Sequence, residues 1–175
     1  GTLEDDLRRR DFTVNALAAS LQSHNLGQIV DLFNGADDIE RRILRTPLDP
    51  IVTMSDDPLR MMRAARFAAQ LEFEIEPTVM EAITSLAERI TIISQERITD
   101  EFLKILAAKK PSIGLRILFV TGIMEHIFPE VHNLAGVDLV QAGAREFRHK
   151  DVFYHTLQVL DNVAEWSDNI WLRFA

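Results

Sequence analysis

The sequence predicts a mainly α chain with a small α/β part at its start. Two observations carry that reading. Proline or aspartate start signals repeatedly open segments with helical apolar spacing from residue 57 onward, and the one convincing β-branched run, "QIVDLF" at 28–33, lies within the first 45 residues.

Taken in order, residues 1–10 are dominated by charge and read as a loop, and "FTVNALAASL" (12–21) carries a helical apolar pattern. The run "QIVDLF" reads as a strand ended by the turn "NGADD", after which Asp37 or Asp38 caps a short helix "IERRIL" closing at Thr46-Pro47. Asp57 followed by Pro58 is a good N-cap and first-position pair for a helix to about Leu71. Glu76-Pro77 opens a second over roughly 78–92, and Ser94 a third, "QERITDEFLKILAAKK", which Pro111 ends. There follow "SIGLRILFVTG" stopped at Gly122, "IMEHIFPEV", a glycine-containing loop, and one long amphipathic helix from about Asp151.

Composition bounds the function. The 175 residues are 47% hydrophobic and 26% charged, with a formal net charge of −8, which is an ordinary globular balance and argues against simple electrostatic capture of nucleic acid. Apolar runs fall far short of the roughly 18 residues a membrane span needs, and no signal segment opens the chain, so no membrane partner and a cytoplasmic location are expected. Cysteine is absent, which excludes a disulfide framework and a thiolate zinc site. The chain has no initial Met and ends inside the apolar "NIWLRFA", so it reads as a piece of a longer protein.

Charge is distributed unevenly. All nine positive residues before position 67 (Arg8, Arg9, Arg10, Arg41, Arg42, Arg45, Arg60, Arg63 and Arg66) are arginine, whose fixed fork suits phosphate and base edges. In "SDDPLRMMRAARF" (55–67), Asp57, Arg60, Arg63 and Arg66 step around the helix by about 60° each, while Met61, Met62, Ala65 and Ala68 take the other side. Like charges at that spacing weaken an isolated helix, so an anionic ligand explains the row better than helix stability does. Asp57 is either a simple N-cap or, together with Arg60, a reader of a nucleobase edge. A carboxylate accepts from an exocyclic amino group and a guanidinium donates to the neighbouring ring acceptor, a pairing that admits cytosine and adenine and rejects uracil and guanine. Arg10 and Asn15, in "LRRRDFTVNALA" (7–18), read either as a basic loop and a helix residue or as one wall of an anionic pocket.

Four ordered stretches resemble the class II tRNA nucleotidyltransferases, the CCA-adding enzymes and bacterial poly(A) polymerases. "RRDFTVNA" (9–16) resembles their second signature motif, "DLFNGADDIERRILRT" (31–46) the third, "DDPLRMMRAARF" (56–67) the fourth and "ERITDEFLKIL" (96–106) the fifth; "IFPEVHNLAGV" is similar to the body segment. Two mild departures are Asn34-Gly35 in place of paired glycines, and Asp56 where glutamate is common.

The resemblance implies the C-terminal remnant of an α/β nucleotidyltransferase head (1–45), a helical neck with the nucleotide-reading helix (46–110), and a helical body (111–175). It implies nucleotide contacts from Arg10, Asn15, Asp57, Arg60, Arg63 and Arg66, and structural motif places for Asp11, Asp31, Gly35, Asp38, Glu96 and Arg97. Its partners would be CTP, ATP and the 3′ end of tRNA or another RNA. The family's magnesium ions sit on an Asp-x-Asp pair, and no Asp-x-Asp occurs in this sequence, so no catalytic residue is assigned and that pair is expected upstream of Gly1. "HKDVFYHTLQVLDNV", from His149, resembles the start of an HD-type phosphohydrolase domain, which implies a second divalent metal with His155 as ligand. Two other readings stay open at this point, an HD-type metal-dependent phosphohydrolase and a helical RNA-binding module.

Overall fold

The computed structural model describes residues 1–136 and 151–175, so most of the segment expected as a loop before Asp151, and His149, lie outside the described residues. Helix α1 (Leu3–Arg8) opens the chain, which corrects the loop expected over 1–10. Its cause is a capping box: the Asp5 N–H donates to the Thr2 hydroxyl at 3.2 Å and the Thr2 N–H to Asp5 Oδ2 at 2.9 Å. The same bonds to Thr2 hold the Asp5 carboxyl below the ordinary carboxylate range.

The helix expected over 12–21 is instead a 3-10 turn at Thr13–Asn15 followed by strand β1 (Leu17–Ala19), paired antiparallel with β2 (Ile29–Asp31) in the register Leu17↔Asp31 and Ala19↔Ile29. Long-range partners override local propensity here. Phe12, Thr13 and Ala16 are buried, and the Thr13 N–H is taken by the Arg45 carbonyl at 2.8 Å.

Helix α2 (Gly35–Arg41) starts earlier than expected, and neither Asp37 nor Asp38 caps it. The Asp31 carboxylate does so from the preceding strand, accepting the N–H groups of Gly35 and Ala36, each at 2.9 Å. Burial works against ionisation of Asp31, but these backbone donors prevail and hold its carboxyl below the usual range. Asp38 turns inward, accepting from the Thr13 hydroxyl at 2.5 Å and pairing with Arg45 at 2.9 Å.

Strand β3 (Ile43–Leu44) leads to α3 (Pro50–Asp56), a helix the sequence reading passed over although Asp49-Pro50 gives it a capping pair. Helix α4 (Leu59–Leu71) follows across Asp57-Pro58, and β4 (Glu74–Ile75) then lies parallel to β3. That two-residue ladder closes the α/β part onto the end of α4.

Helix α5 (Pro77–Leu86) runs into a 3-10 segment at Ala87–Ile92, and α6 (Gln95–Leu106) and α7 (Pro111–Val120) pack against α4. Met61, Met62, Ala64, Ala65, Ala68 and Ala69 of α4 are fully buried in that contact. Each methionine contributes roughly 1.5–3 kcal/mol by leaving water, and the alanines let the helices come close. A Cβ at Gly114 of α7 would meet the Ala65 carbonyl oxygen at 3.0 Å, so glycine sets the α4–α7 spacing.

Short helices α8 (Ile123–Ile127) and α9 (Pro129–His132) precede α10 (Val152–Trp166), whose Asp161 caps α7 through the Ser112 N–H (3.1 Å) and hydroxyl (2.6 Å). The long final helix expected from 151 breaks after Trp166, and α11 (Ile170–Phe174) restarts with Asn169 as its cap. The buried Arg173 donates to the carbonyls of Leu106 and Ala108 at 2.8 and 2.9 Å and of Ala164 at 3.2 Å, a cation satisfying carbonyls at the ends of α6 and α10. Among the described residues no helix is long and apolar enough to cross a membrane.

Candidate functional site

The seam between the α/β part and the helical stack holds a polar cleft lined by Arg9, Arg10, Asp11, Asn15, Asp57, Arg60 and Arg63. Its charge, four guanidinium groups against two carboxylates, suits a polyanion. The clefts along α6 are instead apolar, one of them lined by Ile98, Phe102, Phe128, Trp171 and Phe174.

Asp11 organises one wall. Its nearly buried carboxylate accepts from the Asn15 amide at 2.7 Å, the Phe12 N–H at 3.1 Å and Arg63 Nε at 2.5 Å, which answers the sequence question of where the amide at 15 finds a partner. Arg63 spends only its Nε on Asp11 in this arrangement.

Asp57 sits in extended backbone at the joint of α3 and α4. One oxygen accepts the Leu59 N–H at 3.2 Å, the cap read from the sequence, and the other accepts from Arg97 of α6 at 3.3 Å. An ionised carboxylate has about four lone-pair sites, so two remain for a ligand. Arg60 clips two separate segments together by donating to the Thr53 carbonyl at 3.0 Å and the Arg9 carbonyl at 2.7 Å. With five donors in its fork, it keeps others for the cleft.

Arg66 is the departure. Its side chain, 12% exposed, turns to Glu101 of α6, 4% exposed, with Nε 3.2 Å from the carboxylate but off hydrogen-bond alignment, and its guanidinium lies 4.4 Å from the Phe67 ring centre. It does not line the cleft, because the row that begins at Arg60 has rotated about 120° by position 66. Lys104 also reaches Glu101, at 3.3 Å, and Asp100, whose hydrogen bond together with that to Glu101 holds the ammonium pKa above its ordinary value against burial. Removing one partner of a buried pair is costly. Arg66→Ala is therefore expected to lower unfolding free energy by about 3 kcal/mol, measured by urea titration, while folded protein keeps its affinity for anions in the cleft; a loss of affinity at unchanged stability would place Arg66 on the ligand.

The remaining expected residues sort by position. Asp31, Gly35 and Asp38 build the α2 joint, Glu96 lies exposed in the first turn of α6, and Arg97 touches Asp57 directly. His155 is exposed on α10, and among the described residues no group of three His, Cys, Asp or Glu gathers that could hold a metal ion. The sequence reading missed Arg9, since nothing in "RRRD" says which arginines face inward, and it missed the Thr53 carbonyl, which no residue-type signal reveals.

Two protein families match parts of this chain. The family described as the poly(A) polymerase head domain matches residues 1–45, and that described as the probable RNA and SrmB-binding site of polymerase A matches residues 72–134. The CCA-adding enzyme of Levilactobacillus brevis is 44% identical over 125 residues, covering 71% of this chain and 30% of that protein; that of Streptococcus gordonii is 44% identical over 126 residues, covering 72% and 31%. The Bacillus stearothermophilus CCA-adding enzyme, solved in complex with CTP, shares the fold with a TM-score of 0.71 at 37% identity over 76% of this chain and 33% of that one. The chain thus spans about a third of the length of these relatives.

A poly(A) polymerase head-domain match at the start of a mainly helical chain defines a nucleotidyltransferase-type fold. The chain belongs to the class II family of CCA-adding enzymes and poly(A) polymerases.

Proposed function

We propose that this chain selects and holds the nucleotide in a cytoplasmic enzyme that adds C and A to the 3′ end of tRNA from CTP and ATP, releasing pyrophosphate. The observation that carries the reading is the convergence of Asp57 and Arg60 with Arg10, Asn15 and Arg63 on one cleft. Asp57 accepts from the exocyclic amino group of cytosine or adenine, and Arg60 donates to the ring acceptor beside it. Arg10 and Arg63 supply positive charge to the phosphates, with Asn15 and Asp11 holding the wall. In this reading residues 1–45 are the end of the head, 46–110 the neck and 111–175 the body. The curated relatives are named as CCA-adding enzymes, and the Bacillus stearothermophilus structure holds CTP.

Magnesium is the cofactor the family reading implies. The residues of this cleft do not fit it: two carboxylates, one bound to Asn15 and Arg63 and the other to Arg97, do not make a cation site. No step is assigned to these residues through a metal, and its ligands belong elsewhere in the enzyme.

The test is calorimetric titration with CTP, ATP, UTP and GTP. CTP and ATP are expected to bind about tenfold or more tighter than the other two, the range that one base-reading pair provides. Equal binding of all four would remove the assignment of Asp57 and Arg60 as base readers.

A further inference from the structure

The two exposed arginines of the cleft, Arg9 and Arg10, share one carboxylate. Asp6 lies on α1 with Oδ1 3.5 Å from Arg9 and Oδ2 3.1 Å from Arg10, one helical turn before both. The neighbouring acids are engaged elsewhere, Asp5 in the capping box with Thr2 and Glu4 with Arg8 at 2.7 Å. Arg9 is further tied by Nε to the Asp5 carbonyl at 3.2 Å, and its own carbonyl holds Arg60. The backbone of this segment is therefore fixed to the base-reading helix while its two side-chain charges rest on a single acid.

From this sharing we infer that Asp6 is an internal counter-anion, occupying Arg9 and Arg10 in the empty cleft and giving them up to an incoming polyphosphate; the inference rests on the cleft being the nucleotide site. A carboxylate offers a guanidinium the same acceptor geometry as a phosphate edge, so the exchange replaces one set of charge-assisted bonds by another. Both pairs are half or more exposed, and exposed pairs are weak, so the acid competes without closing the site. Its consequence is selectivity: a monoanion too weak to displace Asp6 leaves the arginines paired, and a triphosphate displaces it.

The experiment titrates the protein, Asp6→Asn and Glu4→Gln with inorganic tripolyphosphate and with CTP. Asp6→Asn is expected to bind both about two- to fivefold tighter, and Glu4→Gln, which removes the same charge from the same helix but releases only Arg8, is expected to gain less. Equal or weaker tripolyphosphate binding in Asp6→Asn overturns the inference, as does an equal gain in Glu4→Gln, which would reduce the effect to net charge. Tripolyphosphate bound by none of the three overturns it too. Tighter tripolyphosphate binding in Asp6→Asn without any CTP binding would retain the counter-anion and remove the nucleotide reading.

Discussion

Gly35→Ala is expected to unfold the α2 joint and abolish ligand binding in the cleft together. A Cβ at this position would lie 2.1 Å from the Thr13 carbonyl oxygen and 2.8 Å from its carbon, with Leu17 Cδ1 at 3.2 Å. The first two are backbone atoms and cannot swing aside as a flexible side chain would. Thr13 is itself pinned, its N–H on the Arg45 carbonyl and its hydroxyl on Asp38, so relief requires either α2 or the 11–15 segment to move. Moving 11–15 displaces Asp11 and Asn15, the wall that holds Arg63. Overpacking of this kind costs about 1–3 kcal/mol where side chains can shift, and more against backbone. The measurement is urea unfolding followed by circular dichroism, paired with nucleotide calorimetry. A Gly35→Ala protein with unchanged midpoint and affinity would show that α2 is free to slide and that the joint does not set the cleft.

How much of this was legible beforehand depends on the range of the interaction. Helices α5 and α6 announced themselves through Glu76-Pro77 and Ser94, because start signals act within one turn, whereas Pro111, legible as the end of the preceding pattern, is the first residue of α7. The capping box of α1 was equally local, Thr2 with Asp5, yet a run of charge concealed it. Strand β1 was illegible for a physical reason. "ALAA" favours helix on its own, and only the ladder to β2 and the burial of Phe12 and Ala16 reverse that preference. The β3–β4 ladder joins residues 31 positions apart through two residues each, too short for any periodicity to show. In the cleft, the resemblance and the arginine row located Asp57, Arg60 and Arg63. The same row assigned Arg66 to the ligand, and its turn toward Glu101 could be known only once α6 was packed.

Asp57→Asn is expected to narrow the nucleotide preference sharply while sparing the fold, since Arg60 still faces the ring N–H of uracil with a donor. Alanine at 57 would remove three things at once, the cap on Leu59, the partner of Arg97 and the base contact, and a cap alone is worth about 1 kcal/mol. Asparagine keeps an oxygen for Leu59 and the size of the side chain, but offers the base an N–H where the carboxylate offered only acceptors. Against the amino group of cytosine or adenine that N–H is a second donor, whereas against the O4 of uracil it is a match. CTP and ATP affinity should fall by about tenfold or more, the lower part of the 1–3 kcal/mol that such a pair discriminates, and UTP should gain. Arg60→Ala behaves differently, because it also releases Thr53 and Arg9 from one another, so affinity for all four nucleotides should drop with a loss of stability. Calorimetry on both variants beside thermal unfolding separates the two. If Asp57→Asn lowered CTP and UTP binding by the same factor, Asp57 would be a cap and a partner for Arg97 alone, and base choice would have to be made elsewhere.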